Sequence, residues 1–545
     1  MLIAQQPRIS DQKGEDRNQE PCSVTIQPPT AKDAETVNAH SGGVDTAREI
    51  TGLRRRIRFR MLSLHRRSPG IVAAGSIAVM FAVAYLLAPP MGRDFSAQLA
   101  HGQLAKTHWP ELLDLRWYSG FNPLGYSVLS PPVMAVLGIR LTTALAYVAS
   151  VVLFAALLKR IAVLRPVAGA IVGAVCLTGN LVVTRTTFAL GLAVALGALL
   201  ALVSGRLRVS SGLSVLAPLA SPVAGPFLAV AGGALFLSGR RRAGVTLGVS
   251  ALVPTIAVGL AFGNGGYQTF AAKQALVSLL VCLTVTGLCW RRPVVRWGGL
   301  LSAALVAAAY LLPTPVGTTA TRLPELFAAP IIVAVAAIPL VAIIAATASV
   351  VLLLPPVSIT ELQERGDPAL SAEFYAPLLH QLTARGVAGP IEVVPTQRRG
   401  EAAFVAPVVA IAKGWSRPAD TGRNAISYVA ISQGPYDWSA PDEVTLVRHG
   451  LPYLQKVWSN QTWTLYAVTN PKPVIAPPGQ VVARDAASLT VSLPEPGAYV
   501  VRVRWSRYLT ASNGCMQPTE DGWSMIVVEN PGTAKIEGSF APHHC

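Results

Sequence analysis

Two adjoining stretches decide the fold class: RRRIRFRMLSLHRR at 54–67 and SPGIVAAGSIAVMFAVAYLLAPPMG at 68–92. The second stretch is uncharged over a length that spans a bilayer core as a helix. The first is a dense basic cluster, and such clusters stay on the cytoplasmic side of a membrane. Together they predict a first transmembrane helix whose N-terminal end is cytoplasmic. The alternative, a nucleic-acid patch, requires the charge to gather on a folded face.

The composition of the whole chain agrees with this start. Of its 545 residues, 52% are hydrophobic and 13% are charged, whereas a soluble domain carries about 25% charge. A multi-domain cytosolic enzyme and a disordered scaffold are therefore excluded. The net charge of +17 lies largely in short arginine clusters between long uncharged runs, the distribution of a protein that contacts membrane lipid. We predict a multi-pass protein of the cell membrane that binds no nucleic acid.

The segment before the first span is predicted to be a disordered, basic cytoplasmic tail over 1–67. Its first fifty residues are polar and lack hydrophobic periodicity. They contain no apolar region followed by a small-residue cleavage site, so they do not form a signal peptide.

Further uncharged runs follow the first one, and most have the length of a membrane span. They are 141–158, 166–184, 186–205, 209–239, 243–272, 274–290, 297–321 and 326–360. Arginine clusters occupy alternate breaks between them, which fixes the topology by the positive-inside bias.

Two of these runs do not fit a single crossing. The run 209–239 has arginine clusters at both ends, and prolines interrupt its centre, LAPLASPVAGPF. It predicts two short helices that meet near Ser221 and Pro222. The run 326–360 is long enough for a second Pro-broken hairpin. We therefore predict an all-α bundle of about eleven spans over 68–360, with the C-terminal region outside; a single helix at 326–360 would place that region in the cytoplasm.

Residues 361–545 have a different composition, with ordinary charge and many turn signals. The alternating runs ASLTVSL, AYVVRVRW and SMIVVE predict strands of a β-rich extracytoplasmic domain. Two interpretations fit its tryptophans, namely packing within sheets or a stacking platform for sugars. These are Trp415, Trp438, Trp458, Trp463, Trp505 and Trp523. Cys515 and Cys545 are free to pair if the domain is exported.

Motifs for most enzyme classes are absent from the sequence. It contains no P-loop, no Rossmann glycine fingerprint, no HExxH and no CxxC pair. The terminal HHC is predicted to be inert, because three adjacent residues at a chain end make a poor metal site. The interiors of the predicted spans also lack the acidic and lysine side chains on which ion-coupled transport depends. We predict no cofactor and no metal ligand.

The polar chemistry concentrates in the first external loop, 91–132. Asp94, Gln98 and His101 fall at i, i+4 and i+7 of a predicted helix and so share one face. A charged and aromatic stretch follows them, with the residues His108, Glu111, Asp114, Arg116, Trp117, Tyr118, Phe121, Asn122 and Tyr126. This density indicates catalysis or binding, although an interfacial amphipathic helix with aromatic anchors has a similar composition.

Several segments resemble one family of membrane enzymes. GRDFSAQLAHGQ, DLRWYSGFNPLGYSVLSPP, LASPVAGPFLA, TRLPELFAAP, WSNQTWTLYAV and GAYVVRVRWS are similar to a group of actinobacterial integral membrane proteins built like the GT-C superfamily. The similarity covers about residues 70–545. Members of that superfamily are membrane glycosyltransferases that take sugar from polyprenyl-phosphate donors, and their shared feature is an acidic residue in the first loop.

The resemblance implies a function and a set of site residues. The implied reaction is an inverting transfer of sugar from a polyprenyl-phosphate donor to a cell-envelope glycan or glycolipid, with Asp94 as the catalytic base. Arg116, Arg185 and Arg322 would bind the departing phosphate, with His101 as a weaker donor. Tyr118, Asn122 and Tyr126 complete the predicted substrate-binding set. The chain has one Asp at this place instead of an acidic pair, so nothing in it supports a divalent metal.

Other interpretations remain open for these residues and for the whole chain. Interfacial snorkelling is the alternative for each of the three arginines and is the favoured interpretation for Arg185. Arg322 and Glu325 are near enough in sequence to pair with each other. Two alternative functions are a non-catalytic envelope-assembly protein and a transporter of lipid or solute. The scarcity of charge within the spans counts against the transporter.

Overall fold

The computed structural model describes residues 69–545, except 265, 267, 388 and 415–424. The predicted tail over 1–67 and Trp415 lie outside the described residues. From 69 to 353 the chain is mostly helical, as the sequence predicts. The helices are α1 (Pro69–Leu87), α2 (Phe95–Thr107), α3 (Ser130–Leu137), α4 (Ile139–Arg160), α5 (Pro166–Cys176), α6 (Thr178–Val182), α7 (Thr186–Val203), α8 (Leu207–Ala220), α9 (Ala224–Leu237), α10 (Arg241–Phe262), α11 (Ala272–Leu288), α12 (Pro293–Leu311), α13 (Arg322–Val335) and α14 (Leu340–Leu353).

Six helical segments in the described part of the chain are long and apolar enough to cross a membrane. They are α1, α4, α7, α10, α12 and the segment Gly317–Val335, which contains α13. Five further apolar helical segments are shorter, between 10 and 17 residues: Pro166–Val182, α8, α9, α11 and α14. The total of about eleven spans stays a prediction, because the shorter helices lie at or below the lower end of the usual spanning length.

Small residues allow the first helices to pack closely. Gly70, Ala74, Ala78 and Ala82 recur every four residues on the buried face of α1, which packs against α4 and α5. A stripe of small side chains brings helix backbones together where no hydrophobic effect between helices is available.

The proline-rich run breaks where the sequence predicts. Helix α8 ends at Ala220 and α9 begins at Ala224. The first loop covers the broken backbone: the Ser130 hydroxyl donates to the Ala220 carbonyl over 2.7 Å, and Val128 N–H donates to the Leu219 carbonyl over 2.9 Å. Backbone groups freed at membrane depth need such partners from the protein. The run 326–360 is likewise divided, into α13 and α14.

The C-terminal region contains the predicted strands, together with α15 (Ile359–Gln363), α16 (Ala372–Ala384), α17 (Glu401–Phe404) and α18 (Pro441–His449). The strands are β1 (Glu392–Val393), β2 (Tyr428–Ser432), β3 (Leu454–Ser459), β4 (Trp463–Val468), β5 (Gln480–Arg484), β6 (Ser488–Leu493), β7 (Gly497–Arg504), β8 (Leu509–Ala511), β9 (Cys515–Pro518), β10 (Trp523–Val528) and β11 (Gly532–Gly538). They form three sheets, in the orders β1-β2-β4-β3, β7-β10-β9 and β5-β6-β11-β8. Only β1 and β2 pair in parallel among these ladders.

Two of the sheets share one core, which inward-facing residues of β6, β7, β10 and β11 fill. Cys515 and Cys545 form a disulfide, with their Cα atoms 5.0 Å apart. Trp463 is fully buried and Trp523 is nearly so, as sheet packing predicts, whereas Trp438 is 75% exposed.

The first loop belongs to both parts of the molecule. Leu113 and Leu115 lie in the core of the two facing sheets, and Trp117 and Tyr118 lie in the core built around α16 and β4. Its backbone is bonded to the C-terminal region as well, since Ile411 N–H donates to the Arg116 carbonyl over 2.9 Å. The loop is therefore a packed structural element, and its residues have few conformations open to them.

Candidate active site

Two tight turns meet at the end of α1 and place Asp94. Gly92 has φ +102°, and a Cβ at this position would lie 2.5 Å from the Val183 carbonyl carbon. Only glycine allows this approach. Asp94 N–H donates to the Val183 carbonyl over 3.1 Å, and the Thr184 hydroxyl donates to the Met91 carbonyl over 2.7 Å. The turn before α2 and the turn before α7 therefore form one unit.

The Asp94 carboxyl group is buried, with 7% of the residue exposed. Asp94 occupies the cap position of α2, yet its side chain makes no capping hydrogen bond. Arg322 is its ion-pair partner, at 3.8 Å between Oδ2 and Nη2. Burial raises the pKa of Asp94, and the charges of Arg322, Arg185 and Arg93 counteract part of that rise. The carboxylate is thus more basic than that of an ordinary aspartate.

Arg185 and Arg322 both lie next to Asp94, and each pairs with a different carboxylate. Arg185 Nη1 lies 2.8 Å from Glu325 Oε1, and the Arg322 guanidinium lies over the Phe188 ring, 5.1 Å from its centroid. The interpretation that Arg322 pairs with Glu325 is wrong, because the turn before α7 brings Arg185 to Glu325 and leaves Arg322 to Asp94. The predicted base and two of the predicted phosphate ligands thus converge.

Tyr126 joins the two other residues on the predicted face of α2. Gln98 Nε2 donates to the Tyr126 hydroxyl over 2.6 Å, and Gln98 Oε1 accepts from the Thr187 hydroxyl over 2.7 Å. The His101 ring stacks on the Tyr126 ring with centroids 4.1 Å apart. The charges of Asp94 and Arg322 act on the Tyr126 hydroxyl, so Tyr126 lies beside the base and its arginine.

His101 is a buried side chain packed among aromatic rings. Trp117 meets its ring edge-on at 5.4 Å between centroids, and Nδ1 is buried with no hydrogen-bond partner. Burial lowers the pKa of His101 to about 3. An uncharged imidazole can donate one N–H but carries no positive charge, and the predicted role of His101 as a weaker donor to phosphate stays a prediction.

The three remaining predicted residues hold the first loop together. Arg116 binds Asp114 through two parallel contacts, Nε to Oδ1 at 2.9 Å and Nη2 to Oδ2 at 2.6 Å. The Tyr118 carbonyl accepts from Arg504 Nε over 3.1 Å. Asn122 Oδ1 accepts from Leu124 N–H over 3.0 Å and caps a short 3-10 turn. Their predicted part in substrate binding stays a prediction.

A second layer of charge next to Asp94 has no counterpart in the sequence analysis. Arg93 Nη2 lies 3.3 Å from Glu361 Oε1, and Arg398 Nη1 lies 2.8 Å from Glu361 Oε2. Arg398 also pairs with Glu364. Adjacency to Asp94 was the one signal available for Arg93. The others come from distant segments of the chain with no motif or periodic spacing to link them.

No group of three or more histidine, cysteine or acidic side chains suited to a metal ion occurs in the part of the chain that the structure describes. A small cleft lies elsewhere, between the first loop and the sheets. Leu115, Ser119, Arg484 and Arg502 are among its lining residues, and Asp94 is not.

No family model matches the sequence, and no curated protein matches it. Solved structures of the arabinofuranosyltransferase AftD from mycobacteria do match. Two structures of one AftD mutant give TM-scores of 0.42 at 13% identity and 0.41 at 12% identity. The structure of AftD without that mutation gives a TM-score of 0.39 at 12% identity. Each match covers 86% of this chain but 57% to 60% of the AftD chain.

Proposed function

We propose that this protein is a membrane glycosyltransferase of the GT-C type, which moves a sugar from a polyprenyl-phosphate donor to a glycan or glycolipid of the cell envelope. The observation that carries the proposal is the buried Asp94 carboxylate in the turn between the first membrane helix and α2, with Arg322 at 3.8 Å and the Arg185–Glu325 pair beside it. A base next to two guanidinium groups matches what sugar transfer from a lipid phosphate requires.

In the proposed reaction, Asp94 takes the proton of an acceptor hydroxyl while the oxygen of that hydroxyl attacks the anomeric carbon of the sugar. The new carbon–oxygen bond forms while the bond from that carbon to the phosphate oxygen breaks, so the configuration inverts. The polyprenyl phosphate leaves with the bonding electron pair. Arg322 and Arg185 would stabilise this developing charge, because guanidinium donors match phosphate oxygens in pairs.

Substitution of Asp94 tests this assignment. Asp94→Asn keeps the shape of the side chain but cannot accept the proton, so transfer should fall by about 100-fold or more. The assay supplies membranes with radiolabelled polyprenyl-phosphate pentoses and hexoses and follows label in envelope glycan. Asp442→Asn, which removes an exposed carboxylate on α18, is the matched control. Full transfer by the Asp94 variant would overturn its role as base.

A direct binding experiment tests the phosphate ligands. Arg322→Gln should weaken the binding of polyprenyl phosphate by roughly tenfold, since a hydrogen bond to a charged group contributes about 1.5–3 kcal/mol. The increase in melting temperature that polyprenyl phosphate gives the wild type and the variant measures the change. Equal stabilisation of both proteins would remove Arg322 from the phosphate site.

A further inference from the structure

Arg398 is a fully buried cation of the C-terminal region, with 2% of the residue exposed. It lies on the segment between β1 and α17. Its guanidinium is shared between two carboxylates, with Nη1 at 2.8 Å from Glu361 and Nη2 paired with Glu364. Gln397 Nε2 donates to Glu364 over 2.6 Å from the same segment. A buried charge of this kind is held only by such pairing.

Glu361 connects Arg398 to the candidate base. It lies on α15, shortly after the last apolar helix, and is 4% exposed. One carboxylate oxygen binds Arg398 and the other lies 3.3 Å from Arg93, the residue that precedes Asp94. The carboxylate of Glu361 therefore has a cation on each side and is close enough to act on Asp94.

Two further contacts fix the geometry of this network. The Ser96 hydroxyl, on the first turn of α2, donates to the Arg398 carbonyl over 2.9 Å. Gly366 N–H donates to the Pro90 carbonyl over 3.4 Å. The segments that carry Arg398 and Glu361 are thus bonded directly to the segment that carries Asp94.

The charges that face Asp94 come from several elements. Arg93 precedes it in the chain, Arg185 lies before α7, Arg322 begins α13 and Glu361 lies on α15. The charge of Asp94 also acts on the Tyr126 hydroxyl, which comes from the first loop. The ion-pair network contains four carboxylates and four arginines, namely Asp94, Glu325, Glu361 and Glu364 with Arg93, Arg185, Arg322 and Arg398. Loss of Arg398 alone leaves one negative charge unbalanced.

We propose that Arg398 is a positioning residue for Asp94: it holds Glu361 against Arg93, so that Arg322 remains the partner of Asp94. The inference rests on the proposed role of Asp94 and assigns part of its control to the C-terminal region. Without Arg398, the negative charge of Glu361 near Asp94 would be less neutralised, and a like charge near a carboxyl group favours its protonated form. By holding Glu361 in place, Arg398 would keep Asp94 in the ionised form that the proposed reaction requires.

The experiment measures the charge of Asp94 without any sugar transfer. Dicyclohexylcarbodiimide modifies protonated carboxyl groups in apolar surroundings, and peptide mass spectrometry quantifies the adduct at Asp94 over a pH series. Arg398→Gln should shift this modification curve to higher pH, with about threefold more adduct at a fixed pH on the slope. The double variant Arg398→Gln/Glu361→Gln removes both charges and should return the curve to the wild-type position or below.

Arg399→Gln is the matched control. It removes the neighbouring arginine, whose Nη2 lies 3.0 Å from Asp437, and should leave the curve unchanged. An unshifted curve for Arg398→Gln, or an equal shift for Arg399→Gln, overturns the proposal. If Arg398→Gln does not fold, Glu361→Gln should shift the curve to lower pH, and an unchanged curve again overturns it. A curve that shifts while sugar transfer is absent from the wild type would contradict the proposed function alone.

Discussion

His101 lies in an aromatic box, stacked on Tyr126 and edge-on to Trp117 and Phe121. Its folded pKa of about 3 is below the ordinary value of 6.5, so the unfolded chain binds a proton at mildly acidic pH that the folded protein rejects. Stability is therefore lost as pH falls below 6.5, by about 2 kcal/mol at pH 5. His101→Phe keeps the stacking and removes this loss, so the gap between its melting temperatures at pH 7.5 and pH 5 should shrink.

His380→Gln is the control for that prediction, since it removes an exposed histidine of α16 and should leave the gap unchanged. A gap in His101→Phe as wide as that of the wild type would show that His101 is protonated in the folded protein.

The pH dependence of transfer is a second expectation at the residue scale. In the proposed reaction Asp94 acts as a base and must be ionised, so the rate should fall as pH decreases through its pKa. Because burial raises that pKa, the acid limb of kcat should lie at higher pH than an ordinary aspartate would give. Steady-state rates over a pH series measure it, with protein stability checked at each pH. An acid limb in the normal aspartate range would contradict the proposal that a buried Asp94 carboxylate is the base.

The sequence could predict where Asp94 lies but not its partners. Its place depends on a local pattern, an acidic residue directly after an apolar run of spanning length. Its pairing with Arg322, and that of Arg185 with Glu325, depends on how distant helices pack. Arg116 differs, because its partner is local. The sequence analysis proposed Arg116 as a phosphate ligand, but its guanidinium pairs with Asp114, two residues earlier.

At the scale of elements, the contact between the turns before α2 and α7 depends on Gly92. Gly92→Ala adds a Cβ 2.5 Å from the Val183 backbone and forces a left-handed conformation, which costs about 1–2 kcal/mol. Gly205→Ala requires a similar φ, +76°, but its Cβ would have nothing within 4 Å. Gly92→Ala should therefore be less stable than Gly205→Ala by about 1–3 kcal/mol, the usual cost of overpacking. Melting temperatures in detergent compare them, and equal losses would contradict the close contact.

Elements with strong local patterns were predictable. The break between α8 and α9 follows from prolines in an apolar run, and strands β6, β7 and β10 follow from alternating apolar residues. The structure of the first loop could be predicted only in part. Its helix α2 could be predicted, but Leu113 and Leu115 fill a core of distant strands, and no short-range pattern marks a residue for such a partner.

For the whole molecule, the decisive question is on which side of the membrane the C-terminal region lies. A lipid-phosphate donor on the external side requires Asp94, which is bonded to that region through Ser96 and Arg398, to face outward with it. The Cys515–Cys545 disulfide favours the external side, since cytosolic thiols are kept reduced. Closing a loop with a sequence separation of 30 residues would stabilise the fold by about 3–4 kcal/mol.

Cys515→Ser turns this argument into a measurement, because it leaves Cys545 as an exposed thiol. A membrane-impermeant maleimide should label Cys545 in intact spheroplasts, while Cys176, Cys282 and Cys289 are buried and give little background. Cys22, in the predicted cytoplasmic tail, provides the internal control and should react only after the membrane is opened. Labelling of Cys545 that also waits for lysis would place the C-terminal region in the cytoplasm. Asp94 would then lie on the wrong side for an external donor, and the proposed transfer reaction would fail with it.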